Sequence, residues 1–310
     1  MTEPATPQIP GPPPSPPSAG IRTPFFRRMP PLAFAIVSLV IVFFLYQIVA
    51  GVIVLLVFKG RITVDNVQLF RWTTLFGQLA FILLPTIILT RLRDDHVGAF
   101  LRVRLPGVQE TFATFVAVFA LQQVLQGYMM AQDAIPLPQQ IQRYVDMLKQ
   151  MFEETYRVLV SAHSPVEFVF VVIVVALAPA VAEELLFRGL VQRSLEQEAG
   201  GLRGAILAGI IFGAYHLNPL SVVPLMALGI FFGYVVYRSQ NITLAISAHF
   251  FNNFLACTAV FLNLRDDFVA IAPQGNPPSG IILLNSALFL VVFLGATLYF
   301  IRLTDTHHLD

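Results

Sequence analysis

Charge is what this sequence of 310 residues has least of. Asp, Glu, Lys and Arg make up 12% of it, about half the share of a typical soluble domain, so most of the chain is expected to lie in lipid. The formal net charge of +1 leaves no basic surface for a nucleic acid, and none is expected as a partner. A single cysteine, Cys257, excludes an internal disulfide framework and a cysteine-based metal cluster. The start of the chain also lacks the pattern of a secretory signal, a short charged region followed at once by an apolar one. In place of charge stand 56% hydrophobic residues, 28 of the residues being Phe, and a mean hydropathy of +0.73.

The first thirty residues differ from the rest. Pro10-Gly11-Pro12-Pro13-Pro14-Ser15-Pro16-Pro17 makes neither helix nor core, and residues 1–30 are predicted to form a disordered, polyproline-like tail. Beyond it, about eight apolar segments approach the roughly 20 residues that a spanning helix needs. They cover 31–58, 68–90, 107–129, 166–190, 203–217, 220–238, 241–262 and 280–302. The fold class is therefore an all-α membrane bundle of about eight transmembrane helices. The fifth segment is short, and only Asn218-Pro219 parts it from the sixth, so the two also read as one broken span. Residues 31–129 form the N-terminal spans, 130–165 an outer loop, 166–262 a membrane core, and 263–310 the last span and tail. Within the loop, Ile141, Val145, Leu148, Met151 and Phe152 recur at helical spacing among polar residues over 138–162. They predict an amphipathic helix on the outer membrane surface or capping the bundle, or a solvated connection.

Basic residues set the expected orientation. Arg22, Arg27 and Arg28 precede the first span, and with eight spans Arg91, Arg93, Arg102, Arg104, Arg193, Arg203, Arg238 and Arg302 share their side. Asp65, Asp146, Glu153, Glu154, Asp266 and Asp267 fall opposite, with Lys59, Arg61, Arg143, Lys149, Arg157 and Arg265 as exceptions. Both termini are expected in the cytoplasm. The tail residues His307 and His308 are given no role.

Ionisable groups at membrane depth are costly and by default mark function. Three sets stand out: Glu183-Glu184 with Arg188, Phe212 with His216, and His249 with Asn253. Glu184 and Arg188 lie four apart, on one helix face, with the acid N-terminal. Glu183 points about 100° away, which suits a structural Glu184 and a reactive Glu183. At about 1.5 Å per residue, Glu183, His216, His249 and Asn253 lie about 15, 20, 12 and 18 Å from the cytoplasmic boundaries expected near Arg193, Arg203 and Asn241. Taken singly, the acidic pair fits a span end, His216 a helix-end hydrogen-bonder, and His249 with Asn253 interhelical polar glue. Their shared depth favours one site. Glu with His holds and deprotonates a water, and His with Asn offers donors to an oxyanion. Zn²⁺ held by two His and a Glu is an alternative, though no H-E-x-x-H spacing supports it.

The motifs E-E-x-x-x-R, F-x-x-x-H and H-x-x-x-N, in that order on successive spans, resemble the CPBP family. That family comprises type II CAAX prenyl endopeptidases and bacteriocin-processing or immunity proteins, also called Abi. The likeness covers about 166–262. It implies an eight-helix fold and a glutamate-dependent intramembrane endopeptidase without a cofactor. By position, Glu183 would activate water with His216, His249 and Asn253 would form the oxyanion hole, and Glu184 and Arg188 would support the site. The expected partners are the bilayer and a peptide or protein substrate at the membrane, CaaX-type prenylated or otherwise. The expected location is a bacterial inner membrane, crossed several times. A non-catalytic immunity or scaffold protein using the same polar site is the alternative. A transporter is a third reading, against which stand the single polar slab and the lack of an inverted repeat.

Overall fold

The computed structural model describes residues 25–262 and 279–305. Residues 1–24 of the tail, with Arg22, lie outside these, as do Arg265, Asp266, Asp267, His307 and His308. Among the described residues there is helix and no strand. We number the helices α1 (Pro31–Phe58), α2 (Val64–Arg93), α3 (Val108–Asp133), α4 (Gln139–Val160), α5 (Pro165–Ala199), α6 (Gly201–Tyr215), α7 (Val222–Ser239), α8 (Ile242–Phe261) and α9 (Gly280–Asp305). All but α4 and α6 are long and apolar enough to cross a bilayer. With the shorter apolar α6 they account for the eight segments, and the chain is a multi-pass integral membrane protein.

The fifth and sixth segments are two helices rather than one broken span. α6 and α7 lie so close that a Cβ at Gly229 would stand 2.6 Å from the Gly209 carbonyl oxygen. Small residues permit this approach in membranes, where packing replaces the hydrophobic drive between helices. The α5 helix starts at Ser164, whose side chain accepts from the Glu167 N–H at 3.2 Å as an N-cap does. It ends at Gly200, whose φ of +88° turns the chain directly into α6. Most other residues would be strained in that conformation.

Two cores flank the site. Phe34, Ile82, Ala182, Phe187 and Phe212 belong to one, and Ala117, Phe232, Leu244 and Phe300 to the other. Four stretches adopt the wider i→i+5 winding of a π-helix: Phe44–Ala50 in α1, Leu79–Leu83 in α2, and Val172–Leu177 and Leu185–Gln192 in α5. Such turns are rare and gather at functional sites. The two in α5 bracket Glu183 and Glu184. Pro85 and Pro179 follow two of the four, and each lacks the N–H that would bond four residues back.

The amphipathic helix expected over 138–162 is α4. Its end is tied down by Arg71 of α2, a fully buried residue. Arg71 donates to the carbonyls of Leu159 at 2.9 Å and of Ser161, and pairs with Glu167 at 2.5 Å. A cation there satisfies orphan helix-end carbonyls and complements the dipole. At the other face, the short helical turn Phe25–Arg28 is held by Arg93. Its guanidinium donates to the Phe26 and Met29 carbonyls at 2.7 and 2.6 Å, and Arg27 pairs with Asp95.

Candidate active site

Glu184 and Arg188 sit one turn apart on α5, so their side chains meet. Arg188 Nη1 donates to Glu184 Oε1 at 3.0 Å, and both side chains are fully buried. The second arm of Arg188 donates to the Gly229 carbonyl at 2.9 Å, which the missing Gly side chain leaves open. The guanidinium lies 4.5 Å from the Phe212 ring centroid and 5.5 Å from that of Phe232, joining the two cores. One turn on, Gln192 repeats the contact by donating to the Gly233 carbonyl at 3.0 Å. His249 completes the set from α8. Its Nδ1 bonds to Glu184 Oε1 at 2.8 Å, and its ring stacks on Phe232 at 5.5 Å. A buried ion pair is costly unless further hydrogen bonds support it; here α7 and α8 supply two, and Glu184 Oε2 and Arg188 Nε are left without a partner.

Glu183 leaves the same helix in another direction. Its Oε2 stands 3.7 Å from His216 Nε2, too far for a direct hydrogen bond. His216 Nδ1 lies 2.7 Å from the Phe212 carbonyl oxygen. A carbonyl only accepts, so Nδ1 carries a proton, and in the neutral tautomer the Nε2 that faces Glu183 is bare. Glu183 Oε2 is buried and makes no hydrogen bond. Two acceptors thus face each other, an arrangement suited to a molecule with two hydrogens to give, such as water. This pair is also the more open: the side chains of Glu183 and His216 are 16% and 30% exposed, against 0% and 7% for Glu184 and His249.

Asn253 lies one turn beyond His249, and its Nδ2 donates to the Val175 carbonyl at 3.2 Å. That carbonyl is the one Pro179 cannot bond. Asn252 Nδ2 donates in turn to Asn253 Oδ1 at 3.1 Å. The structure therefore brings Glu183, Glu184, Arg188, His216 and His249 together around the Phe212 ring. It sets Asn253 against α5 at Val175, with one of its two amide N–H groups committed there.

Several neighbours of the site were not singled out from the sequence. Tyr46, on a π turn of α1, lies within electrostatic range of Glu183 and in polar contact with Gln78. Its ring edge is 3.7 Å from the position a Gly77 Cβ would take. Gln47 bonds to the Tyr215 carbonyl at 3.2 Å. With Ser38, Tyr46 and Gln47 are the only polar residues of α1, and that was the available signal. Arg102, outside the spans, donates to the Arg188 carbonyl at 3.2 Å and pairs with Glu196 at 2.8 Å. Burial pulls the Arg102 guanidinium below its ordinary range, and Glu196 opposes that. No three His, Cys, Asp or Glu side chains among the described residues are grouped to hold a metal ion, and no step below runs through one.

A multi-pass helical membrane protein in which adjacent glutamates of one helix each face a histidine is the class that these features define. Residues 165–255 match the family model described as Rce1-like: Type II CAAX prenyl endopeptidase Rce1-like. The stretch runs from the start of α5 to just past Asn253 and holds all seven residues picked out by the motifs, so the family resemblance is borne out there. No curated protein and no solved structure matches the chain.

Proposed function

We propose that the protein is an intramembrane endopeptidase that cuts a peptide bond with a water activated by Glu183 and His216. The observation that carries this reading is the 3.7 Å gap between two facing acceptors, Glu183 Oε2 and His216 Nε2. A water held there gives one proton to the Glu183 carboxylate while its oxygen attacks the substrate carbonyl carbon. The C=O electron pair moves to oxygen. The free N–H of Asn253 and a protonated Nε2 of His249 receive that oxyanion. With His249 as an imidazolium, Glu183, Glu184, Arg188 and His249 sum to zero charge. As the tetrahedral intermediate collapses, the proton held by Glu183 passes to the leaving nitrogen and the C–N bond breaks. No protein nucleophile, metal or cofactor is called for. Glu184 and Arg188 support the site without reacting.

The substrate is a peptide or protein in the membrane, and the matched family suggests a prenylated CaaX type. The basic residues near Arg93, Arg203 and Arg238 support cytoplasmic termini, and we assign the protein to a bacterial inner membrane. The test is cleavage of two fluorogenic peptides, one prenylated, by the purified protein in detergent. Glu183→Gln and a chelator are run beside it. Cleavage that survives the chelator and is lost in Glu183→Gln is expected; full activity of that variant would sink the mechanism. The engagement of Asn253 with Val175 favours a second reading, a non-catalytic immunity or scaffold protein that binds a peptide at the same site. A Glu183→Ala variant that still complements a knockout would select it.

A further inference from the structure

His216 stands at the end of a helix. α6 stops at Tyr215, His216 caps it, and Leu217 follows at a φ of +52°. A helix end leaves its last four carbonyls without helical partners, and at membrane depth unsatisfied groups are costly. Three of the four are accounted for. The Phe212 carbonyl takes the His216 Nδ1 proton, and the Ala214 carbonyl takes the Leu217 N–H at 3.2 Å. The Tyr215 carbonyl takes Gln47 Nε2–H at 3.2 Å, from a helix 168 residues earlier in the chain.

This last contact is reciprocated. The Tyr215 hydroxyl donates back to the Leu39 carbonyl of α1 at 3.3 Å, and its ring meets Phe43 edge-on at 5.4 Å. The other face of the turn is met by Gln132 of α3, which donates to the Leu220 carbonyl at 3.1 Å. The bond to Tyr215 has a geometric consequence of its own. The Tyr215 C=O belongs to the peptide plane that ends at the His216 Cα, so holding that oxygen restricts the direction in which the side chain leaves the backbone, and the bond from Nδ1 to the Phe212 carbonyl then sets the ring.

We propose that Gln47 is a positioning residue for His216: its side chain clamps the Tyr215–His216 peptide plane and so aims Nε2 at Glu183. The clamp comes from outside the matched residues 165–255, from a π turn of the first span, Phe44–Ala50. It does not touch the substrate. Displacements of about 1 Å away from the chemistry suffice to slow a positioned reaction by 10²-fold.

The experiment compares Gln47→Met, which keeps length and removes the donor, with Ile48→Met on the adjacent, lipid-exposed position. Histidine labelled with ¹⁵N is observed by NMR in detergent micelles, and the His216 signals are assigned by their loss in His216→Gln. In the wild type a neutral His216 shows Nδ1 protonated and Nε2 bare. Gln47→Met is expected to shift or broaden the His216 signals while Ile48→Met leaves them in place. Tyr215→Phe, which removes the return bond and keeps the ring, gives a smaller shift and serves if Gln47→Met fails to fold. Unchanged His216 signals in the folded variants, or an equal change in Ile48→Met, would overturn the proposal.

The kinetic arm rests on the endopeptidase reading. There kcat falls about tenfold in Gln47→Met with KM unchanged. A wild type that cleaves nothing yet shows the NMR shift keeps the clamp and fails the endopeptidase. Normal kcat in Gln47→Met with active wild type fails the clamp alone.

Discussion

The two adjacent glutamates have opposite surroundings. Glu184 is sealed from solvent and touched by Arg188 and His249 at 3.0 and 2.8 Å. Glu183, one residue earlier, is partly open and faces His216 at 3.7 Å. The same side chain on the same helix is thus a strut in one position and an unsatisfied acceptor in the next. What separates them is the rotation of about 100° per residue and the helix met in that direction. Glu184 commits Oε1 to Arg188 and His249 and keeps Oε2 unpartnered in a sealed setting, whereas the unpartnered Oε2 of Glu183 lies where the side chain is partly open and faces His216. An unsatisfied acceptor that a water can reach gains much from it.

Breaking the open pair should have the largest effect on chemistry and the least on folding. Glu183→Gln is expected to lower peptide cleavage by about 10²–10⁴-fold while the protein stays monodisperse with an unchanged melting profile. A large loss of thermal stability would mean that Glu183 is a strut too. The closed pair should behave in the reverse sense. Arg188→Met leaves Glu184 buried without its cation, a loss of about 3–5 kcal/mol, read as a fall in melting temperature and yield. Pairing it with Glu184→Gln should recover part of that loss, because the two residues share one interaction. Strict additivity would show that they do not.

Asn253 sharpens the comparison by sitting between the two cases. Asn253→Ala removes both the bond to Val175 and an oxyanion donor, so cleavage should drop by about 10²-fold together with a loss of about 1–3 kcal/mol for the bared carbonyl. A stability loss with intact cleavage would confine it to the structural side. The smallest effect belongs to an exposed pair. The Arg27 guanidinium hydrogen-bonded to Asp95 holds that carboxyl below the ordinary carboxylate range. The docked state therefore has the lower pKa. The share of the docking of the Phe25–Arg28 turn that this pair supplies is present above the ordinary range and is lost as pH falls through the lowered value, while the Arg93 bonds remain. A ¹³C titration of Asp95 should show a low midpoint that rises in Arg27→Gln; an equal midpoint in both would remove Arg27 as the cause.

Apolar runs were enough to recover the spans, because a bilayer imposes length and composition on each segment separately. The first span was read as 31–58 and is Pro31–Phe58, and α4 was visible in its helical spacing. The seven motif residues were legible for a different reason. Each set is confined to one helix, where spacing alone fixes the face. What remained hidden depends on two helices at once. Nothing within α1 says that Gln47 faces Tyr215, and nothing in α8 says that Asn253 meets a carbonyl bared by Pro179 on α5. The π turns were invisible for a related reason: one extra residue in a turn alters which side chains align and leaves the hydropathy unchanged. The hairpin of the fifth and sixth segments was ambiguous until Gly209 and Gly229 were seen to lie against each other.

The α6 helix spans 15 residues, about 22 Å at 1.5 Å per residue, whereas a hydrocarbon layer is about 30 Å thick. Set across such a layer it falls about 8 Å short, a hydrophobic mismatch next to His216. Lipid beside the Leu217–Leu220 turn must thin or give way to water there. The acyl-chain length of the host membrane thereby becomes a variable of the site, since it sets how far water and a peptide travel to reach Glu183.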